Sequence, residues 1–279
     1  MIDVPFTPDE IGPWSEIKLE IIEKYGPAYT KAFSGKGRML KRYYIDGFSG
    51  AGVHLSKQSK GVIEGSPARA LKVTPPFDGF TFIDMNADKT EYLRQQCAGR
   101  SDVIIFTGDA NEHLIHDVLP KIRYELYTRA LCLLDPYGMH LAWQVIQQAG
   151  QSRAIDMFLN FPIMDINRNA LLRNPADAKH EELARMNRLW GDESWRNIAY
   201  VESGQRNLFG DPPDLLKQNN ETIAEAFRKR LRDVAGFAYV PQPLAMRNKN
   251  NAVLYYLFFA AANQTADRII RDIFAKYRT

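Results

Sequence analysis

Apolar and polar positions change their period several times along the chain, and each change marks an element. Between residues 14 and 34, Ile17, Ile21, Ile22, Tyr25, Tyr29 and Phe33 recur at mostly helical spacing, interrupted at Gly26 and Pro27. This predicts two short helices or one kinked helix. Short β-branched or aromatic runs follow: RYYID at 42–46, FTFID at 80–84, VIIFTGD at 103–109, ALCLLD at 130–135 and IDMFLNF at 155–161. Helical patterns separate most of them, from Pro67 to Lys72, Ala87 to Cys97, Asn111 to Tyr127 and Met139 to Ala149. Strand and helix in alternation predict an α/β fold around a mostly parallel sheet covered on both faces.

After Phe161 the alternation stops, and a polar, mostly helical stretch intervenes, from Pro175 to Trp190 and from Leu215 to Val234, broken by NLFGDPPD at 207–214. We read residues 165–235 as a helical insertion or lid, and residues 1–40 as a helical extension preceding the sheet. FAYVPQPLAM (237–246) and AVLYYLFFAA (252–261), joined by a polar turn, predict an antiparallel hairpin, and Gln264 to Lys276 predicts a final helix. The whole reads as one domain over 1–279.

Composition narrows the class. With 45% hydrophobic and 25% charged residues the chain is neither disordered, collagen-like nor a coiled coil. Two cysteines, Cys97 and Cys132, are too few for a disulfide framework or a four-thiolate zinc site, so a reducing compartment is the default. The N-terminus lacks a basic and apolar leader, and the longest apolar run, LYYLFFAAA at 254–262, is half of what a bilayer span needs. A cytoplasmic protein without membrane attachment is expected. The formal charge of +3 hides a local imbalance: residues 31–72 carry nine Lys or Arg against Asp46 and Glu64. Lys36, Arg38, Lys41 and Arg42 in that segment are candidate contacts to phosphates of a substrate, against the plainer reading of a solvated helix end and loop.

In an open α/β sheet ligands sit outside the carboxyl ends of the strands. Four successive predicted strands end in Asp. The first gives Asp46, Gly47, Phe48, Ser49, Gly50, Ala51, Gly52, in which glycines allow close approach of backbone to ligand. The second gives Asp84 and Met85, with the acid placed to accept ribose hydroxyls; the third gives Asp109 and Ala110; the fourth gives Asp135, Pro136, Tyr137 and Gly138. Leu55 stands where a nicotinamide-dinucleotide loop needs Gly or Ala, and no Gly-Lys-Ser/Thr phosphate loop is present. An acid opening the loop suits a cofactor with a cationic end.

The series DGFSGAG, FIDMN, TGDA and LLDPYG resembles motifs I to IV of class I S-adenosylmethionine-dependent methyltransferases, and the terminal strand pair resembles their antiparallel sixth and seventh strands. More closely, KLEIIEKYGPAYTKAF, KRYYIDGFSGAG, GSPARAL, LDPYG, FLNFPIMDINRN and YYLFFAAANQTADRIIRDIF resemble the bacterial three-Cys-motif partner proteins, a match over nearly the whole chain. The resemblance implies a Rossmann-like sheet and an S-adenosylmethionine cofactor. Asp46, Gly47, Phe48, Gly50 and Gly52 would face its methionine end, Asp84 and Met85 its ribose, and Asp109 and Ala110 its adenine. It also implies a partner carrying three cysteines. The glycine loop departs from the family pattern, because HLSKQSKGVIEG (54–65), a basic loop, precedes the first helix at Ser66 and Pro67.

Methyl transfer from a sulfonium is an in-line displacement, so the protein must hold nucleophile and methyl together. Methyltransferases of adenine amino groups place an acid or amide, prolines and an aromatic ring at the end of strand four. Asp135, Pro136 and Tyr137 supply these with one proline instead of two. Asn160, Phe161 and Pro162 at the end of strand five could present an amide, a ring and a bend at the same face. Asn167 and Arg168 follow as substrate-side positions, and His54 and His140 lie near the loops. His113 and His116, with Asp117, are spaced for a metal, but a solvated helix face is the simpler reading and no metal is assigned. Trp143, Trp190 and Trp195 read as packing residues. Three functions stay open at this point: a methyltransferase of nucleic acid or nucleotides, a cofactor-binding or nucleic-acid-binding accessory subunit without transfer activity, and a methyltransferase of proteins or small molecules.

Overall fold

The computed structural model describes residues 6–33, 35, 39–202 and 215–278. Seven strands form the main sheet: β1 (Lys41–Asp46), β2 (Gly79–Asp84), β3 (Val103–Thr107), β4 (Thr128–Leu134), β5 (Ile155–Phe161), β6 (Leu244–Arg247) and β7 (Val253–Ala260). Their order is β3-β2-β1-β4-β5-β7-β6. The first five are parallel, whereas β7 runs antiparallel to β5 and to β6. The chain winds outward from β1 to β3 and then restarts at β4 on the other side of β1, so the switch in strand order falls between β1 and β4.

Strands covered on both faces read as unbroken apolar runs, and β4 shows why. Leu131 and Leu133 face one core cluster with Tyr44, Phe82 and Phe158; Cys132 and Leu134 face the other with Ile45, Ile83 and Met157. On the first face lie α1 (Pro13–Phe33), α2 (Ser66–Ala70), α3 (Ala87–Gln96) and, at the end of the chain, α10 (Gln264–Ala275). On the second lie α4 (Ala110–His113), α5 (Trp143–Gln151) and the insertion, with α6 (Ile163–Asn169), α7 (His180–Trp190), α8 (Trp195–Ala199) and α9 (Asn220–Asp233). The insertion is continuous with the core: Phe227 of α9 is fully buried, with its ring 4.3 Å from that of Phe161. Trp143, Trp190 and Trp195 are buried in the same cluster.

Several elements differ from the sequence reading for identifiable reasons. α1 is one 21-residue helix despite Pro27, held by Tyr25, which packs edge-on against Phe158 and Phe259, and by Tyr29, which stacks on Phe77. The helix expected over Asn111–Tyr127 is short: α4 passes into a π turn at Leu114–Val118 and a tight 3-10 turn at Leu119–Lys121, where Pro120 has no amide hydrogen to continue it. α5 starts at Trp143, not Met139. Leu215–Lys217 is not helical but pairs antiparallel with Tyr200–Glu202. Of the stretch 237–246 only the end joins the sheet, because Pro241 and Pro243 cannot donate to a ladder; Tyr239 makes one bridge to Ala261. The expected loop at 54–65 is a hairpin, Val53–Ser56 against Val62–Glu64, and Glu10–Ile11 adds to it in parallel. The 207–214 break lies outside the described residues.

Asp156 in β5 is buried on this sheet, accepting a hydrogen bond from the Tyr25 hydroxyl at 2.7 Å, and burial pushes its carboxyl up to about 7. A carboxyl raised above its unfolded value stabilises the fold fully below about pH 4, and that contribution is lost as pH rises through about 7. Asp156→Asn is therefore expected to raise thermal stability at pH 8, by an amount on the order of 1–3 kcal/mol, and to give a smaller gain at pH 5. Thermal unfolding of both proteins across pH 5–8 measures it, and equal profiles would refute it.

Candidate active site

β1 delivers Asp46 to the carboxyl rim of the sheet, fully buried. Its carboxylate accepts from Ser66 Oγ at 2.6 Å and from the Phe48 amide at 3.2 Å, and burial pushes it up to about 7. The loop then turns at Gly50 (φ +59°) and Gly52 (φ +75°), in the left-handed region where glycine is favoured. Nothing lies within 4 Å of where a Gly50 side chain would begin, so this stretch of backbone is open to a ligand. The Gly50 amide donates to Asp84 Oδ2 at 2.8 Å, and the Asn86 amide to Asp84 Oδ1 at 2.9 Å. Asp84 thus ties the loop after β1 to the loop after β2. Asp109 caps α4, accepting from the Asn111 amide at 2.7 Å.

Asp84 and Asp109 line a cavity of about 230 Å³ together with Gly47, Phe48, Met85, Ala110, Tyr137, His140 and Arg188, whereas Asp46 is buried behind it. A second cavity of about 570 Å³ adjoins it over the ends of β1, β4 and β5, and includes Phe48, Gly50, His54, Asp135, Pro136, Tyr137, Asn160, Pro162, Arg168, Trp14, Lys18 and Tyr255. Phe48 and Tyr137 line both, so the two spaces meet at these rings.

Asp135 is gripped from two sides. Lys18, buried on α1, makes a short ion pair with its Oδ2, and Asn160 Nδ2 donates to its Oδ1 at 2.7 Å. Asn160 Oδ1 is buried with no hydrogen-bond partner among the described residues. Tyr137 donates its hydroxyl to Asp9 at 3.1 Å, and Lys89 pairs with the same carboxylate at 2.5 Å, so the segment before α1 straps the rim. Burial and the Asp9 charge push the Tyr137 phenol upward. His54 is pulled down by burial, and its Nδ1 has no partner among the described residues.

The structure separates several residues that the sequence suggested together. Lys41 and Arg42 begin β1, roughly 15–20 Å from its carboxyl end. Both are paired with Asp78, Arg42 at 2.9 Å and Lys41 at 3.8 Å, so strand direction removes them from the substrate side. Lys36 and Arg38 lie outside the described residues. Phe161 is fully buried against Phe227 and cannot contact a substrate, whereas its neighbour Pro162 lines the larger cavity. Asn167 Nδ2 donates to Asn220, while Arg168 reaches the cavity. His113 stacks on Phe106 at 4.5 Å and bonds Asp117 at 2.8 Å, and His116 faces Glu112; no metal-binding cluster occurs among the described residues. Sequence reasoning missed Asp9, Lys18, Tyr255 and Arg188. Lys18 carried a signal: it shares the buried helix face of Ile21, Ile22 and Tyr25, three, four and seven positions on.

No family model matches the sequence, and no curated protein does. Among solved structures, the fold is similar to a Legionella pneumophila protein of the DUF519 family, with a TM-score of 0.53 at 9% identity, covering 95% of this chain and 91% of that one. Weaker likeness extends to the CurJ carbon methyltransferase (TM-score 0.42, 13% identity, 90% of this chain and 56% of that one). It extends also to a SAM-dependent methyltransferase of the DUF858 family from Leishmania major (TM-score 0.38, 11% identity, 88% and 82%). The chain has a Rossmann-like α/β fold, a mostly parallel seven-stranded sheet with an antiparallel strand pair at one edge. In this fold the rim just described is where the strand order switches, between β1 and β4. No helix among the described residues is long and apolar enough to cross a membrane.

Removing one member of a sheltered ion pair leaves the other charge stranded. Lys18→Met is expected to cost on the order of 2 kcal/mol, and adding Asp135→Asn to recover most of it. Urea unfolding of the two single variants and the double variant decides this; additive losses would mean the pair is not coupled.

Proposed function

We propose that the protein is an S-adenosylmethionine-dependent methyltransferase acting on an amino group of a nucleic acid or nucleotide. The observation that carries the reading is the pair of adjoining cavities meeting at Phe48 and Tyr137, acids of β2 and β3 on one side and the Asp135–Asn160 pair on the other. The smaller cavity suits the nucleoside of the cofactor, with Asp84 for ribose hydroxyls and Asp109 and Ala110 for the adenine edge, and the open backbone at Gly50 in the adjoining cavity suits the methionine end. Bound there, S-adenosylmethionine supplies an electrophilic methyl group on its sulfonium.

The larger cavity suits an amine. Asn160 Oδ1 is a buried acceptor without a donor, and such a group is costly unless a ligand supplies one. An amino group has two hydrogens, one for Asn160 Oδ1 and one for the Asp135 carboxylate, and this pairing would aim its lone pair away from both acceptors. Lys18 keeps Asp135 in place, and Tyr137, at the junction of the cavities, offers a ring on which a base can stack. The strap through Asp9 holds that ring in place.

One observation favours the accessory-subunit reading: both Asp135 oxygens are engaged within the protein, by Lys18 and Asn160. A partner with three cysteines belongs to either reading through the sequence resemblance, and co-purification with such a protein tests it.

Titration with S-adenosylmethionine is expected to show one site, weakened at least about tenfold by Asp84→Ala. With labelled cofactor and mixed DNA and RNA, label is expected in nucleic acid, and Asp135→Ala is expected to abolish transfer while leaving cofactor affinity within about twofold. Cofactor binding without transfer by the unaltered protein to any nucleic acid would leave the accessory reading standing, and absence of cofactor binding would overturn both.

A further inference from the structure

The amino ends of β4 and β5, at the rim opposite the candidate active site, border another cavity, of about 320 Å³, roofed by the last two turns of α1 and the start of α10. That size falls at the small end of the range for ligand sites. None of its residues serves the site proposed above.

Its polarity is organised in depth. Inside are Asp156, 4% exposed, which holds the Tyr25 hydroxyl, and Tyr29, 2% exposed, whose own hydroxyl has no hydrogen-bond partner among the described residues. Around them are the Tyr25 and Tyr29 rings and the aliphatic face of α10 at Ala266 and Ile269. At the mouth stand two guanidinium groups. Arg129 stacks on the Tyr124 ring at 4.1 Å and gives one nitrogen to backbone carbonyls. The side chain of Arg153, an exposed residue, makes no hydrogen bond or ion pair among the described residues.

Each layer excludes a class of ligand. An apolar molecule would leave the Tyr29 hydroxyl without a partner and Asp156 with Tyr25 alone, which burial penalises. A metal ion would meet one carboxylate and two guanidinium groups. A bare anion satisfies the mouth but is repelled by Asp156. The remaining class is a flat ring bearing N–H groups at one end and an anionic group at the other. We propose that this cavity is a nucleotide site, in which a purine base enters between the aromatic and aliphatic walls, donates to Asp156 and engages the Tyr29 hydroxyl, while its phosphate sits on Arg129 and Arg153. The proposal does not rest on methyl transfer and would stand if that reading failed.

Tyr29→Phe isolates the idea, since it removes only a hydroxyl that has no hydrogen-bond partner among the described residues. Calorimetric titrations with AMP, GMP, the corresponding nucleosides and inorganic phosphate are compared for the unaltered protein, Tyr29→Phe and Arg153→Ala. At least one of the two nucleotides is expected to bind one-to-one. Tyr29→Phe is expected to weaken it about tenfold, as the loss of a hydrogen bond in a dry site does, while the melting temperature of the free protein is unchanged or higher. Arg153→Ala is expected to weaken the nucleotide and leave its nucleoside unaffected. The proposal is overturned if neither nucleotide binds, if phosphate alone binds as tightly, if both variants bind as the unaltered protein does, or if Asp84→Ala at the other rim abolishes binding.

Discussion

The direction of the five parallel strands is the constraint on which the rest depends. A parallel pair needs a crossover, and crossovers of one hand return each strand to start at the same edge. Every strand end therefore collects at one rim and every beginning at the other. Asp46, Asp84 and Asp135, far apart in the chain, become neighbours around two joined cavities, while Arg42, Arg129 and Asp156 are sent to the far side. One rule of strand connection thus separates two chemically different ends of the same sheet.

What holds the active rim in shape is a set of polar ties between loops, each made by a group that would be costly to bury alone. Asp46 takes the Ser66 hydroxyl, Asp84 takes the Gly50 amide, and Asp135 takes Lys18 and Asn160. Satisfied networks of this kind fix geometry more firmly than apolar contact does, since a slipped partner leaves a charge or a donor stranded. Asn160 Oδ1 and His54 Nδ1, both buried without a partner among the described residues, stand out against these paired groups.

The parallel part of the sheet was legible because strands buried on both faces must be apolar throughout: IDMFLNF marked β5 to the residue, and the runs for β1 to β4 erred by a residue or two at their ends. Helix lengths were less legible. The pattern over 111–127 keeps helical periodicity, but Pro120 and the π turn decide the backbone, and hydrophobic spacing does not register a missing amide hydrogen. At the site, acids at strand ends could be found by position alone. Lys18 could not, because its role depends on a helix meeting a strand more than a hundred residues later. The basic segment misled for a related reason: charge adds along the sequence, but Lys41 and Arg42 sit at the start of the strand whose end forms the loop.

The seat of α1 carries a further consequence. Its residues Trp14, Lys18 and Lys24 rest on Tyr255 and Tyr277, from β7 and the residues after α10, with Tyr255 Oη donating to the Trp14 carbonyl at 3.0 Å and Lys24 Nζ reaching Tyr277 at 2.6 Å. On the ribosome α1 emerges ahead of the main sheet, yet its resting place is made by the strand and helix that emerge after the rest of that sheet. A nascent chain can own the glycine loop and all its acids and still lack the wall that Lys18 and Trp14 provide. The larger cavity therefore closes only after β7 is in place, which keeps unfinished chains from presenting a finished site.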